Sequence, residues 1–139
     1  MTSNFLFLCF FSVGIPLPNT ETPGSPRIFL IRHGLFDPQI FTIQDVIKVS
    51  TMINDILLRT DDNLTVAGQI GILDLAGVQC LHFMQYSPLF IKKMTMMSHL
   101  GSPIRHRGFH YINTPNGFEQ VFNVFKSVMH EQRRENVSV

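Results

Sequence analysis

A short polar motif, Arg32-His33-Gly34, is the feature of this sequence with the clearest potential for catalysis. It follows a predicted strand directly. A histidine there can carry a phosphoryl group while an arginine holds the phosphate oxygens. Such chemistry also needs a second histidine, further arginines and an acid that protonates the leaving group. The candidates for these further groups are Arg105, His106, Arg107 and His110, but they do not form a second recognisable motif.

The motif allows two interpretations. It is similar to the opening motif of histidine phosphatases, but Leu-Phe-Asp-Pro follows it where such an enzyme would place polar phosphate ligands. In the structural alternative, Arg32 and His33 end a strand at a turn, and Gly34 supplies backbone freedom. Because a three-residue motif without its context does not by itself indicate an enzyme, we expect no catalytic residues. The histidine phosphatase is the enzymatic alternative.

Patterns typical of metal and cofactor sites are missing from the sequence. The six histidines form no closely spaced pair joined by carboxylates, and the two cysteines, Cys9 and Cys80, form no spaced pattern. The glycines between Gly68 and Gly77 lack the spacing of a phosphate-binding loop. We therefore expect no metal and no cofactor. The cysteine usage favours a reducing compartment, the cytoplasm.

The composition is unusually apolar for a small domain. The 139 residues are 45% hydrophobic and 15% charged, so many apolar side chains must line an internal cavity, meet a partner or membrane, or lie on uncovered elements. The net charge of +1 provides no field that would attract nucleic acid.

The N-terminal part divides into two segments. Residues 1–13 belong to an apolar stretch that is too short to span a bilayer, and no basic residue precedes it as a signal peptide requires. Residues 14–26 form a proline-rich linker. The stretch 16–26 holds four prolines and one glycine, and this leaves no room for a helix or strand. We expect the folded domain over residues 27–139 and no transmembrane span.

Strands and helices are predicted to alternate in the rest of the chain. Strands are expected at 27–32, 66–75 and 107–113, a turn at 61–63, and the start of a further strand at 137–139. Helices are expected at 42–59, 81–86, from Ser87-Pro88 to about residue 100, and from Thr114-Pro115 to about residue 130. This alternation predicts an α/β fold, a largely parallel sheet flanked by helices.

Two polar residues, Ser50 and Asn54, lie in the centre of the apolar face of the helix at 42–59. A buried polar group without a partner costs about 1–3 kcal/mol. In a cavity they would hold water or orient the polar group of a ligand. Alternatively, Ser50 bonds back to the carbonyl of Val46 and Asn54 meets a neighbouring loop. The residues alone leave both open.

A small basic cluster, Arg105-His106-Arg107, stands beside Pro103. It is either a solvated turn before a strand or a site for an anionic lipid headgroup.

Several segments, in their order and spacing, resemble the CRAL-TRIO lipid-binding domain of the kind found in tocopherol and retinaldehyde carriers. The similarity extends from about residue 14 to residue 137. The matching segments are PRIFLIRHG with FDP (26–38), TIQDVIKVS (42–50), AGQIGILDLAG (67–77), SPLFIKK (87–93) and SPIRHRGFHYINTP (102–115).

The resemblance implies a non-enzymatic carrier that encloses a small hydrophobic lipid of the tocopherol, retinoid or phosphoinositide class and moves it between membranes. Ser50 and Asn54 would supply polar contacts to the ligand, and Arg105 and Arg107 would bind phosphoinositide headgroups on an anionic membrane surface. The helix that begins near Phe118 would gate the cavity. The apolar wall is expected from Val46, Ile53, Leu57, Ile70, Ile72, Phe83, Met97, Phe109, Phe118, Phe122 and Phe125.

The sequence also departs from this family. The helical N-terminal domain and the C-terminal tail of family members have no counterpart, so the sheet is expected to be incomplete at its C-terminal edge. A truncated, non-functional product is therefore a further alternative, and the isolated chain is expected to aggregate because the apolar face of its last helix would be partly uncovered.

Overall fold

The computed structural model describes residues 13–18, 22–128 and 137–138. Strands and helices alternate along the chain, and a short 3-10 turn spans His33–Leu35. The elements, in order, are β1 (Gly14–Pro16), β2 (Arg27–Arg32), α1 (Ile43–Thr60), α2 (Asp62–Ala67), β3 (Gln69–Asp74), α3 (Cys80–Met84), α4 (Pro88–Leu100), β4 (His106–Ile112), α5 (Phe118–Val128) and β5 (Val137–Ser138).

The strands form one sheet in the order β1-β2-β3-β4-β5. β2 to β5 are parallel, and β1 pairs antiparallel with β2. Because parallel neighbours need a crossover connection, helices intervene between β2, β3, β4 and β5. The predicted α/β fold with a largely parallel sheet is therefore confirmed, and so is a further strand near the end of the described chain.

The first strand lies where the sequence predicted only linker. Gly14 pairs with Ile31 and Pro16 pairs with Phe29, so residues 14–16 extend the sheet. Pro16 has no N–H to donate, and an edge strand tolerates this. Val13 is buried in the core. The prolines favoured a linker in the sequence analysis, whereas residues 14–16 form a strand because they pair with β2.

A second difference is the helix α2, which occupies the predicted turn and the first residues of the predicted second strand. The Asp61 carboxylate accepts hydrogen bonds from the backbone N–H groups of Asn63 and Leu64, at 3.1 and 3.3 Å, and so caps this helix. Gly68 ends it with a φ of 87°, a conformation that glycine adopts without a steric penalty. The strand therefore starts only at Gln69.

The first long helix begins as predicted. The Thr42 hydroxyl accepts from the Asp45 backbone N–H at 3.3 Å, and the Asp45 carboxylate accepts from the Thr42 backbone N–H at 3.1 Å. This reciprocal capping box fixes the first turn of α1, and hence which face it presents to the sheet.

The core consists of two apolar clusters. One joins α1 to the chain before and after β2, and the other lies beneath α5. Their buried members are Val13, Phe36, Phe41, Ile43, Val46 and Val49 in the first, and Leu75, Phe118 and Phe122 in the second. Residues of both clusters also line a cavity.

Candidate ligand-binding cavity

A cavity of about 470 Å³ lies between one face of the sheet and the helices α1, α3, α4 and α5. It extends along β3 from the region of Gln69 to Leu75, about 20 Å at the ordinary rise of a strand. The lining is mostly apolar, with scattered hydroxyl, amide and imidazole groups. It consists of Ile31, His33, Val46, Ile47, Ser50, Thr51, Asn54, Asp55, Leu58, Leu73, Leu75, Val78, His82, Phe83, Tyr86, Met94, Thr95, Met97, Ser98, Gly101, Ser102, Pro103, Ile104, His106, Phe109, Tyr111, Phe118 and Phe122.

The central strand presents Leu73 to the cavity, and Leu75 follows just beyond it. Ile70 and Ile72, which we expected in the wall, are not among the lining residues. Side chains alternate along a strand, so these two isoleucines point to the other face of the sheet. Both faces of β3 carry apolar residues, and the sequence therefore could not show which one faces the ligand space.

One part of the apolar face of α1 lines the cavity, and another part packs in the protein core. Val46, Ser50 and Asn54, three of the residues predicted for the ligand pocket, line the cavity. Ile53 instead packs against the core cluster that contains Val13. Leu57 is half-buried and is likewise not among the lining residues. The face seen in the sequence is wider than the stripe that borders the cavity, and this explains both corrections.

The far wall is aromatic. Five further residues predicted for the ligand pocket line the cavity: Phe83, Met97, Phe109, Phe118 and Phe122. Phe118 and Phe122 stack on each other with ring centroids 5.5 Å apart, and both contact the Tyr111 ring. The side chain of Phe125, the remaining expected wall residue, lies outside the described residues.

The two polar residues of α1 have protein partners although they border the cavity. The Ser50 hydroxyl donates to the Val46 carbonyl at 3.0 Å. The Asn54 side-chain oxygen accepts from the Gln69 amide at 3.1 Å. The hydrogen bond from Ser50 back to Val46 is therefore confirmed, while Asn54 meets the first residue of β3 and not a loop. Both residues also border the cavity, so their contact with a ligand stays a prediction.

A second polar group in the wall was not anticipated as part of a cavity. His33 Nε2 and the Tyr86 hydroxyl lie 2.6 Å apart. His33 is 7% exposed, and burial, with a smaller contribution from His82, lowers its pKa to about 4. Burial also raises the pKa of the Tyr86 phenol well above its ordinary value. Both side chains are therefore uncharged at neutral pH.

The neighbouring His82 has a structural role. Its Nδ1 accepts from the Gln79 backbone N–H at 3.0 Å, so the proton of the neutral ring lies on Nε2, which donates to the Phe36 carbonyl at 3.0 Å. His82 thus ties the start of α3 to the turn after β2.

The cavity is nearly free of charge. Among the described lining residues the only carboxylate is that of Asp55, and none is a lysine or arginine. Burial also raises the pKa of the Tyr111 phenol to about 12, which keeps this group protonated. An uncharged apolar site with a few polar groups suits a neutral lipid-like ligand.

Comparison with known proteins decides the family. Residues 13–139 match the CRAL/TRIO domain. The chain belongs to the CRAL/TRIO domain family. This family binds small lipophilic ligands, in agreement with the apolar cavity.

Individual relatives carry the same indication. The chain is 25% identical over 116 residues to proteins named alpha-tocopherol transfer protein-like from Mus musculus, Pongo abelii and Homo sapiens. The aligned part covers 84% of this chain and 33% of each relative. The chain thus spans about one third of the length of these relatives.

The two arginines of this CRAL/TRIO domain that were expected to bind headgroups lie outside the cavity lining. Arg105 and Arg107 are exposed, and Arg107 Nε donates to the Ala67 carbonyl at 2.9 Å. The register between β3 and β4 shifts between Gln69 and Ile70, which leaves Arg107 without a partner residue in the ladder. This bulge places the two arginines at the edge of the sheet where β4 begins.

The structure gives no support to the phosphatase interpretation. His33 is buried after the end of β2, whereas Arg105 lies before the start of β4, at the opposite edge of the parallel sheet. His110 is exposed and pairs with Ile72, whose side chain points away from the cavity. The groups that phosphoryl transfer requires are therefore not brought together.

Within the described chain, no group of three or more histidine, cysteine or acidic side chains is arranged to hold a metal ion. The helices in the described ranges also include none with the length and apolar character needed to cross a bilayer.

Proposed function

We propose that this chain binds a small, uncharged hydrophobic lipid in its cavity and transfers it between membranes without catalysing a reaction. The supporting observation is the cavity of about 470 Å³, whose wall is largely apolar and contains no cationic residue among the described ones. Tocopherol-like and retinoid-like molecules fit such a site better than a lipid whose charged headgroup would have to enter it.

Ser50 and Asn54 are proposed to contact the lipid where α1 borders the cavity. The test is the double variant Ser50→Leu/Asn54→Leu, measured against a panel of tocopherol, retinol and phosphatidylinositol by displacement of a fluorescent lipid. We expect the order of affinities to change, and the melting temperature to fall by several degrees because Asn54→Leu leaves the buried Gln69 amide without its partner. Thr60→Leu, on the exposed end of the same helix, is the control. A double variant that ranks the panel as the parent does would refute the assignment.

Transfer requires contact with a membrane, and we propose two surfaces for it. Arg105 and Arg107 are exposed cations that suit an anionic, phosphoinositide-containing surface. The second proposed surface comprises Met84, 78% exposed on α3, and Leu89, 63% exposed at the start of α4, two apolar side chains that are close in sequence to the exposed Lys92 and Lys93. The helix α5 is proposed to gate the cavity. The protein would then be cytoplasmic and visit membranes transiently.

The membrane proposal is tested by sedimentation with phosphoinositide-containing vesicles at increasing salt. Each basic side chain near such a surface contributes about 1 kcal/mol, so Arg105→Ala/Arg107→Ala should weaken binding by more than tenfold at low salt. Arg59→Ala, another exposed arginine, is the matched control. Binding that is independent of salt and of both arginines would exclude the headgroup site.

A further inference from the structure

The cavity wall contains a buried polar pair, His33 and Tyr86, that the function of a simple apolar container does not require. Their side chains are joined at 2.6 Å, and both line the cavity. His33 Nδ1 is buried and has no hydrogen-bond partner among the described residues. Buried polar atoms in proteins almost always have a partner. Because the ring borders the cavity, a molecule inside it is the available source of that partner.

The chemistry of the pair defines what this partner must be. A phenol is the better donor and a neutral imidazole nitrogen the better acceptor, so Tyr86 donates to Nε2 of His33. The proton of the neutral ring then lies on Nδ1, which is left as a donor. A donor in an apolar wall suits an oxygen acceptor, a hydroxyl or a carbonyl.

The position of the His33–Tyr86 pair indicates how a bound ligand is oriented along the strands. His33 follows the carboxyl end of β2, whereas the Asn54–Gln69 hydrogen bond lies where β3 begins. These two polar regions therefore lie at opposite edges of the sheet, about 20 Å apart along the strands. Ser50 and Asn54 already have protein partners, while His33 Nδ1 has none in the part of the chain that the structure describes.

The surroundings restrict the charge of the ligand. Phe36 and Phe90 contact the rings of the pair, and no lysine or arginine is among the described residues that line the cavity. A carboxylate or phosphate would have to leave water without a cation to receive it, which is strongly unfavourable. An uncharged oxygen meets no such penalty.

We propose that the His33–Tyr86 pair is the polar anchor of the cavity, holding the single terminal oxygen of a neutral lipid alcohol or aldehyde whose apolar body extends towards Ser50 and Asn54. The inference rests on the proposed lipid-binding function and deepens it. Hydrocarbons without an oxygen, and lipids with a charged end, would bind less tightly than the alcohol.

The test uses the full chain and displacement of diphenylhexatriene by hexadecane, 1-hexadecanol, hexadecanal and hexadecanoate. The parent should bind the alcohol and the aldehyde about tenfold more tightly than the hydrocarbon, the effect of one hydrogen bond. In Tyr86→Phe and in His33→Leu this preference should fall to about twofold or less, while hexadecane affinity stays nearly unchanged. Thr60→Val, which removes a hydroxyl on the exposed end of α1 outside the cavity lining, should keep the preference.

A second measurement does not depend on the variants folding. In protein labelled with ¹⁵N-histidine, the Nδ1 resonance of His33 should shift on addition of 1-hexadecanol and stay in place with hexadecane. Equal affinities for the alcohol and the hydrocarbon, a preference lost in Ser50→Ala but kept in Tyr86→Phe, or an unmoved resonance would overturn the anchor. If the parent binds neither diphenylhexatriene nor any of the four probes, the proposed lipid-binding function itself fails.

Discussion

Gly34, which follows β2, allows two loops to approach each other closely. Its backbone lies so close to the loop after β3 that a methyl group at its Cα would overlap the carbonyl oxygen of Ala76. The sequence suggested that glycine here supplies backbone freedom at a turn. The structure gives a different reason, because the close approach of two loops leaves no room for a side chain.

We expect Gly34→Ala to lower the free energy of unfolding by about 1–3 kcal/mol, the cost of forcing extra atoms into a packed site. Gly24→Ala is the control, since a side chain at Gly24 would meet nothing within 4 Å. Chemical denaturation of both variants measures the difference. Equal stability of the two variants would show that the loops separate without cost.

His33 should make stability depend on pH. Its pKa is about 4 in the folded protein and about 6.5 in the unfolded chain, so the unfolded state binds more protons between these values. The free energy of unfolding should therefore decrease as the pH falls through 6.5, by about 1 kcal/mol between pH 7 and 5.5.

In His33→Phe this part of the pH dependence should disappear, since phenylalanine keeps the ring and does not titrate. Denaturation curves at several pH values, taken for the parent and the variant, isolate the contribution. If the difference in unfolding free energy between the parent and His33→Phe stays constant with pH, the assignment of a neutral, buried imidazole is contradicted.

For individual residues, the sequence pattern predicted which polar side chains of α1 lie at the cavity, but it did not predict the His33–Tyr86 pair. The helical period placed Ser50 and Asn54 at the cavity. It had no means of joining His33 to Tyr86, because they are 53 positions apart and meet only through packing.

At the scale of elements, strong local signals led to correct predictions. The Thr42–Asp45 capping box and the Ser87 hydroxyl, which accepts from the Phe90 N–H at 3.2 Å, start α1 and α4 where expected. The strand β1 and the helix α2 were missed. The first exists through its pairing with β2, and the second through capping by Asp61, which reads equally well as a turn residue.

The orientation of β3 leads to a prediction for that element. Leu73 lines the cavity and Ile72 points to the other face, so enlarging each residue should have different effects. Leu73→Phe should lower affinity for a lipid about tenfold by filling part of the cavity, with Ile72→Phe as the matched control that keeps parental affinity. Fluorescence titration of both variants decides it. Equal losses, or a loss confined to Ile72→Phe, would mean that the strand faces the other way.

At the scale of the whole molecule, the apolar composition finds its explanation in the cavity between the two core clusters. The sequence offered three destinations for the excess apolar residues, and the structure places many of them around one space lined by four helices and one face of the sheet. Family membership and fold were predictable from the order of the motifs. The shape of the cavity was not, because it depends on which stripe of α1 and which face of β3 turn inward.

The central claim is that this cavity holds one molecule of an uncharged lipid. Native mass spectrometry of the purified chain after exposure to a total cellular lipid extract tests it most directly, with organic extraction to identify what is bound. We predict one neutral lipid per chain in the parent and in Ile72→Phe, and a clearly reduced fraction in Leu73→Phe. A parent that retains no lipid, or the same loading in Leu73→Phe as in the parent, would contradict the claim.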